Sequence, residues 1–217
     1  MPKLTRRDFL KLVGAGIGGI VLACSGLTFV ATREPDIAMP QNTFGGNTKM
    51  ASKVLVAYVT KSGSTVQVAE TIGKSLADKG AIVDVRPIKA ITNLDGYQAV
   101  VVGSGVRIGK WLPEAVEFVK KNQAKLNQVP TAFFTVHLLN LDESEASKQG
   151  RQLYAADARQ SVNPRIEGFF AGKMEYAKLS WLERWMAQTM KAQEQDLRDW
   201  NKIGAWAQSL VPSVVQV

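Results

Sequence analysis

Cysteine and histidine are almost absent from this chain, and their scarcity excludes several kinds of site. The 217 residues contain one cysteine, Cys24, and one histidine, His137. An intramolecular disulfide is therefore impossible, and so is a metal cluster built from histidines. The body of the chain also lacks a nucleic-acid-binding motif or a run of basic residues, so no nucleic-acid partner is expected.

Long apolar runs are missing as well. The apolar stretch near the N-terminus, residues 12–23, is shorter than the roughly 20 residues that span a bilayer. The length of the chain suits one domain with a short additional segment. The formal net charge is +8, and part of it lies in Lys3, Arg6, Arg7 and Lys11. This excess indicates either a mildly basic surface or attraction to a phosphate-bearing cofactor or an anionic membrane.

The N-terminal residues have the organisation of an export signal. Thr5 to Lys11 read TRRDFLK, and the paired arginines followed by Phe-Leu-Lys resemble the twin-arginine signal. The glycine-rich run 12–23 suits the apolar region of a signal peptide. Cys24 follows Val-Leu-Ala, which resembles the cleavage box of bacterial lipoproteins and implies lipidation of Cys24. The alternative is that Cys24 is a small apolar residue inside an uncleaved anchor.

This resemblance implies a protein that is exported through the twin-arginine translocon. We expect residues 1–24 to be the signal segment, residues 25–50 a linker and residues 51–217 the domain, because residues 25–50 are rich in Pro, Gly and Asn with little periodicity. The expected location is periplasmic or extracytoplasmic, tethered to a membrane surface. Since the twin-arginine route moves folded proteins, a non-covalent cofactor would be loaded before export.

Beyond residue 50, short runs of β-branched and apolar residues alternate with helical patterns. The predicted strands are 54–59, 82–85, 99–102, 131–136 and 166–171, and the predicted helices are 64–79, 113–126 and 179–210. Such alternation is typical of a parallel sheet covered on both faces, which predicts a doubly wound five-stranded α/β fold. Residues 138–165 are polar and predict an insertion, partly helical around Glu143 to Arg159.

The loop between the first strand and the first helix has the composition of an anion site. Residues 60–65 read Thr-Lys-Ser-Gly-Ser-Thr. Backbone N–H groups at a helix N-terminus, hydroxyls and a lysine can together hold a dianionic phosphate, and Gly63 permits close backbone approach. The alternative is an ordinary N-cap turn, because Ser and Thr also cap helices.

The context of this loop resembles the flavodoxin signature. The residues that match it in one frame are Tyr58, Thr60, Gly63, Thr65, Ala69 and Ile72. The resemblance implies a flavodoxin-like fold that holds FMN without a covalent bond at the carboxyl edge of the strands, at the topological switch point. By position, the loops after the third and fourth strands would also contact the cofactor.

Downstream segments are similar to menaquinone-dependent protoporphyrinogen IX dehydrogenases. The similar segments are 102–109, 117–121, 126–127, 130–136, 171–176 and the helix from Trp181 to Met190. The resemblance implies an FMN-dependent oxidoreductase with a porphyrinogen-like electron donor and membrane quinone as acceptor. The Arg-Tyr-Gly of this family is replaced here by Arg107-Ile108-Gly109. The alternative function is an exported flavodoxin-type electron carrier between protein partners, although such carriers are typically acidic and this chain is basic.

The resemblance also implies a set of cofactor-binding residues. They are Thr60, Lys61, Ser62, Gly63, Ser64, Thr65, Ser104, Gly105, Val106, Arg107, Gly109, Trp111, His137 and Leu138. The flavin itself would carry the electrons, and Arg107 and His137 are the candidates for a catalytic role. The alternatives are a surface arginine at 107, a packed helix start at Trp111 in place of a ring stacked on the flavin, and a satisfied strand-end histidine at 137.

A last pattern concerns the helix near residue 185. Trp181, Trp185, Met186 and Met190 fall on one helical face. This face either packs into the core or meets a membrane interface, where tryptophan is enriched.

Overall fold

The computed structural model of the chain describes residues 37–46, 51–189 and 193–214. These residues fall into two compact units, of which the main one contains residues 37–46, 51–178 and 193–214 and the second contributes residues 179–189. The predicted signal segment 1–24, with Cys24, lies outside the described residues. Within the described ranges, no helix has the length and apolar character that a membrane crossing requires.

A seven-stranded sheet forms the centre of the main unit. Its strands are β1 (Asn42–Phe44), β2 (Lys53–Val59), β3 (Ile82–Pro87), β4 (Ala99–Arg107), β5 (Lys110–Trp111), β6 (Thr131–His137) and β7 (Ile166–Ala171). The order across the sheet is β1-β3-β2-β4-β6-β7, and β5 pairs with β4. Neighbours from β3 to β7 in this order are parallel, whereas β1 and β5 are antiparallel to their partners. The parallel strands confirm the predicted flavodoxin-like, doubly wound sheet.

Helices cover both faces of this sheet. They are α1 (Ser64–Ala77), α2 (Pro113–Lys121), α3 (Gln123–Leu126), α4 (Glu145–Tyr154), α5 (Ala156–Arg159) and α7 (Trp200–Val214), while α6 (Trp181–Thr189) belongs to the second unit. Short 3₁₀ turns lie at Ile88–Ala90 and Tyr176–Lys178, and a separate ribbon pairs β8 (Lys173–Met174) with β9 (Gln195–Asp196).

The strands are buried on both faces because their side chains alternate between two apolar layers. On one face, Val56 and Tyr58 of β2 pack with α1 and α7, which contribute Ile72 and Ile203. On the other face, Leu55 and its neighbours pack with residues of α2, α3, α4 and α5. This double burial explains the near-continuous apolar runs in the sequence.

Three connecting segments differ from the expectations. Residues 138–165, predicted as a polar insertion, contain helices where the sequence predicts them, but α4 and α5 also bury Tyr154 and Ala158 against the sheet. Residues 42–44 of the predicted linker form β1, which pairs with the edge strand β3. The predicted helical region 179–210 is interrupted, with β9 lying between α6 and α7.

The centre of the sheet tolerates only glycine at position 103. Gly103 lies in register between Tyr58 of β2 and Phe134 of β6, and a Cβ atom at this position would overlap the ring of Phe134. We expect Gly103→Ala to lower the free energy of unfolding by about 1–3 kcal/mol through overpacking, as measured by urea denaturation. Gly204→Ala is the matched control, because a Cβ there meets only Ser75 Oγ at 3.7 Å and alanine favours the helix. Equal destabilisation by both substitutions would contradict this account.

Candidate functional site

Two of the predicted loops leave the sheet side by side. β2 and β4 are paired up to Val59 and Ser104, so both strands end at the same carboxyl edge. The connection from β3 to β4 crosses over β2, which makes this edge the topological switch point of the sheet. The loops touch, since a Cβ on Gly105 would lie 3.3 Å from Thr65 Oγ1. Glycine at position 105 therefore allows the close approach of the two loops.

The loop of residues 60–65 has the geometry of an anion site. Thr60 Oγ1 accepts a hydrogen bond of 2.9 Å from the N–H of Gly63, which stands at the N-cap of α1 with φ +84°. A glycine N-cap supplies no side-chain acceptor for the first N–H groups of α1, of which that of Val66 donates to Gly63 O at 3.1 Å. Thr60 and Thr65 are buried, whereas Ser62 and Ser64 are partly exposed. These residues fit the phosphate group that the sequence predicts.

Lys61 brings a positive charge to the same loop. Its ammonium group lies 3.4 Å from Glu114 Oε1 at the start of α2, and both side chains are partly exposed. The pair links the loop after β2 to the helix that follows β5. A solvated pair of this kind holds the loop in place at a small net gain in stability.

The loop between β4 and α2 is a tight hairpin closed by Ser104. The Ser104 hydroxyl donates to Gly105 O at 2.8 Å and accepts from the N–H of Leu112 at 3.0 Å, and the residue is fully buried. The Ser104 hydroxyl therefore fixes the base of the hairpin, and a contact of Ser104 with the cofactor stays a prediction. Val106 faces Trp111 and Arg107 faces Lys110 in the hairpin ladder.

Trp111 is the last residue of the hairpin strand β5, and its side chain lies inside the core. Only 3% of its surface is exposed, its Nε1–H donates to Thr135 Oγ1 at 2.8 Å, and its ring lies 4.9 Å from that of Phe133. The ring of Trp111 is thus occupied by contacts within the core. Of the two alternatives, the packed start of the helix is the one that the geometry supports.

The tip of the hairpin is strained and exposed. Ile108 and Gly109 have φ +51° and +71°, which are the angles of a two-residue type I′ turn. A β-branched residue in this left-handed region is a conformational outlier, and Ile108 is 95% exposed. Arg107 is also exposed, at the end of β4. The replacement of the aromatic residue of the related family thus presents an aliphatic side chain to solvent beside the switch point.

His137 ends β6 as a buried, neutral residue. Its Nδ1 lies 2.6 Å from the carbonyl oxygen of Leu139, and because a carbonyl only accepts, Nδ1 carries the hydrogen. The ring lies 5.3 Å from that of Tyr154. Burial lowers the pKa of His137 and outweighs the opposing hydrogen bond to Leu139, while the charges of Arg151 and Lys202 lower the pKa further. Leu138, the next predicted residue, is half-buried at the start of the loop.

A cavity of about 510 Å³ lies beside β7, within the range of small-ligand pockets. His137 is the one predicted site residue on its wall. The other lining residues include Leu141, Arg151, Phe169, Lys202 and Trp206. Sequence reasoning missed them, because they come from the loop after β6, from β7 and from helices α4 and α7, and they meet only through the fold.

These features define the class of the protein as a doubly wound α/β domain with a hydroxyl-rich loop at its switch point. Residues 55–201 match the flavodoxin domain family, and the chain therefore belongs to that family. Flavodoxin domains bind FMN, in agreement with the cofactor that the sequence predicts. 

The chain is also similar to individual known proteins. The chain is 27% identical over 171 residues to a protoporphyrinogen IX dehydrogenase [quinone] of Escherichia coli strain K12, covering 73% of this chain and 94% of the relative. It is 28% identical over 144 residues to a protein of the same name from Leishmania major, covering 63% and 61% of the two chains. Oxidised flavodoxin 2 from Bacillus cereus superposes with a TM-score of 0.49 at 16% identity, covering 74% of this chain and 99% of that one.

The low pKa of His137 predicts a pH dependence of stability. The unfolded chain takes up a proton at His137 below about pH 6.5, whereas the native protein resists protonation. The contribution of His137 is therefore fully present above that pH and is lost as the pH falls towards the lower native pKa. Urea denaturation between about pH 5 and pH 8 should show a steeper loss of stability in the parent than in His137→Gln. Identical pH profiles would contradict this expectation.

Proposed function

We propose that this chain is an FMN-dependent oxidoreductase that takes electrons from a porphyrinogen-like donor and passes them to a membrane quinone. The observation that carries the proposal is the hydroxyl-rich loop 60–65, capped by Gly63 at the switch point of a flavodoxin-family sheet. The likeness to relatives named protoporphyrinogen IX dehydrogenase [quinone] supports the choice of donor and acceptor.

The phosphate of FMN would be held by the loop and the first turn of α1. The N–H groups after Gly63 would donate to its oxygens, and the hydroxyls of Ser62, Ser64 and Thr65 would add further hydrogen bonds. Lys61 would contribute positive charge, tempered by its partner Glu114. The Thr60 hydroxyl is already used to shape the loop through the N–H of Gly63.

The two remaining loops would hold the ring system. The residues available for this are Gly105 to Gly109 in the hairpin and His137 to Leu139 after β6. When bound, FMN supplies the redox chemistry by accepting and releasing electrons. His137 keeps its hydrogen on Nδ1 through Leu139 O, so that Nε2 is the nitrogen able to accept a proton or a hydrogen bond.

The same proposal places the protein outside the cytoplasm. The twin-arginine pattern of residues 5–11 and the lipoprotein-like Cys24 support export and a lipid tether. A tethered domain stays close to the bilayer that dissolves the quinone. The alternative function, an electron carrier between protein partners, differs from this proposal because it would need no small-molecule donor.

Binding measurements test the phosphate loop directly. We expect Ser62→Ala and Ser64→Ala to weaken FMN binding by roughly tenfold each, since a hydrogen bond to a charged group contributes about 1.5–3 kcal/mol. Riboflavin, which lacks the phosphate, should bind equally to parent and variants. Ser75→Ala, a partly buried serine in α1 away from the loop, is the matched control. Equal loss of riboflavin binding would show that the substitutions disturb the fold instead.

Turnover tests the enzymatic part. Purified, FMN-loaded protein mixed with protoporphyrinogen IX and a menaquinone analogue should oxidise the porphyrinogen and reduce the quinone, followed by porphyrin fluorescence. Riboflavin-loaded or flavin-free protein is the control and should be slower. A chain that binds FMN tightly but oxidises no porphyrinogen above this control would overturn the donor assignment and leave electron carriage as the function.

A further inference from the structure

Residues 37–44 run from the phosphate loop to the far edge of the sheet. At one end, Ile37 Cγ2 would lie 3.5 Å from a Cβ placed on Gly63. In the middle, the hydroxyl of Tyr58 donates to Pro40 O at 2.8 Å. At the other end, Asn42–Phe44 form β1 and pair with β3. The sequence places this segment in a linker, yet it crosses the carboxyl edge of the sheet and contacts the cofactor loop.

We propose that residues 37–44 are a strap that covers the phosphate loop through Ile37 and slows the release of FMN. The inference rests on the proposed binding of FMN at residues 60–65. Ile37 is the residue that acts on the loop, as a positioning residue and not as a ligand.

Ile37 lies against the loop at Gly63, the glycine of residues 60–65. Gly63 has φ +84° and no side chain, so its peptide groups can turn more freely than those of any neighbour. Ile37 is half-buried, and its Cγ2 lies 3.5 Å from where a Cβ of Gly63 would stand, so its side chain limits movement of the loop in that direction. Release of a bound phosphate would be helped by movement of the loop, so the contact with Ile37 would slow its departure.

The other end of the strap is held by side-chain hydrogen bonds and by the packing of Phe44. Thr43 Oγ1 donates to Asp84 Oδ1 at 2.6 Å, and Arg86 Nη1 donates to the carbonyl oxygen of Asn42 at 2.6 Å. Asn42 Nδ2 also donates to Glu70 Oε1 of α1 at 2.6 Å. The ring of Phe44 packs where Gly73 has no side chain, and a Cβ at Gly73 would lie 3.2 Å from Phe44 Cδ2.

Tyr58 fastens the middle of the strap at any physiological pH. Burial, with a further contribution from the charge of Glu70, raises the pKa of Tyr58 to about 12. Its hydroxyl therefore keeps its hydrogen and continues to donate to Pro40 O. Because Tyr58 lies two residues before Thr60, the same strand end carries both the strap and the phosphate loop.

Family membership alone does not account for the strap. The match to the flavodoxin domain family begins at residue 55, after the strap has ended. A device that retains the cofactor suits a protein that carries FMN across a membrane and cannot be reloaded where FMN is not made. The strap is also the part of the domain that follows the predicted export segment.

The rate of FMN release from the full-length protein tests the strap. We expect Ile37→Ala to release FMN roughly five- to tenfold faster than the parent, because most of the apolar contact over Gly63 is lost, and Ile37→Val to restore most of the slow release. Met39→Ala is the matched control, since Met39 lies in the same segment but is 39% exposed. Release is followed by the recovery of flavin fluorescence after dilution, and riboflavin release is measured in parallel.

The outcomes separate the strap from the proposed function. Faster release of FMN but not of riboflavin in Ile37→Ala, with Met39→Ala unchanged, supports the strap. Unchanged FMN release in Ile37→Ala, or equal acceleration by Met39→Ala, overturns the strap while leaving FMN binding intact. A parent chain that binds no FMN overturns the proposed function itself.

Discussion

The parallel pairing of β2 with β4 is the interaction on which the site depends. It runs from Val54 opposite Ala99 to Val59 opposite Ser104, so both strands end at one edge and their loops diverge from a shared point. Two glycines of β4 permit its close contacts: Gly103 makes room for the ring of Phe134 in the neighbouring strand β6, and Gly105 lets the backbone approach Thr65 of α1. If the pairing register of β2 and β4 shifted by one residue, the side chains of one strand would point to the wrong faces of the sheet, and the two loops would no longer leave it side by side.

Buried polar groups give the site its rigidity. Ser104, Trp111 and Thr135 are all buried and satisfy one another or the hairpin backbone, as unpaired groups there would cost free energy. Position in the sequence made two of them candidate cofactor contacts, yet their polar atoms are already occupied. The rigid hairpin also explains how Ile108 can persist at φ +51°, because local strain survives only where the surroundings determine the backbone.

The sequence predicts the secondary-structure elements better than it predicts which elements and residues contact one another. The strand 166–171 has the bounds that the sequence predicts, and residues 60–65 connect β2 to α1 as predicted, because local patterns report burial and turn chemistry. Residues 42–44 gave no periodic signal, since a three-residue edge strand is defined by its neighbour β3 rather than by its own composition. The contact of Ile37 with Gly63 joins residues with no shared pattern, so only the fold could reveal it.

The path of the strap constrains how a tethered domain would meet the membrane. Ile37 lies beside Gly63, so the chain enters the main unit at the carboxyl edge of the sheet, next to the phosphate loop. With Cys24 lipidated as proposed, the chain up to Ile37 could span at most roughly 45 Å when fully extended. The cofactor edge would therefore stay within that distance of the bilayer whatever the orientation of the domain. If the tether joined the domain at the opposite edge of the sheet, the carboxyl edge could lie farther from the bilayer by the length of the strands. A quinone dissolved in the lipid would then be farther from the cofactor.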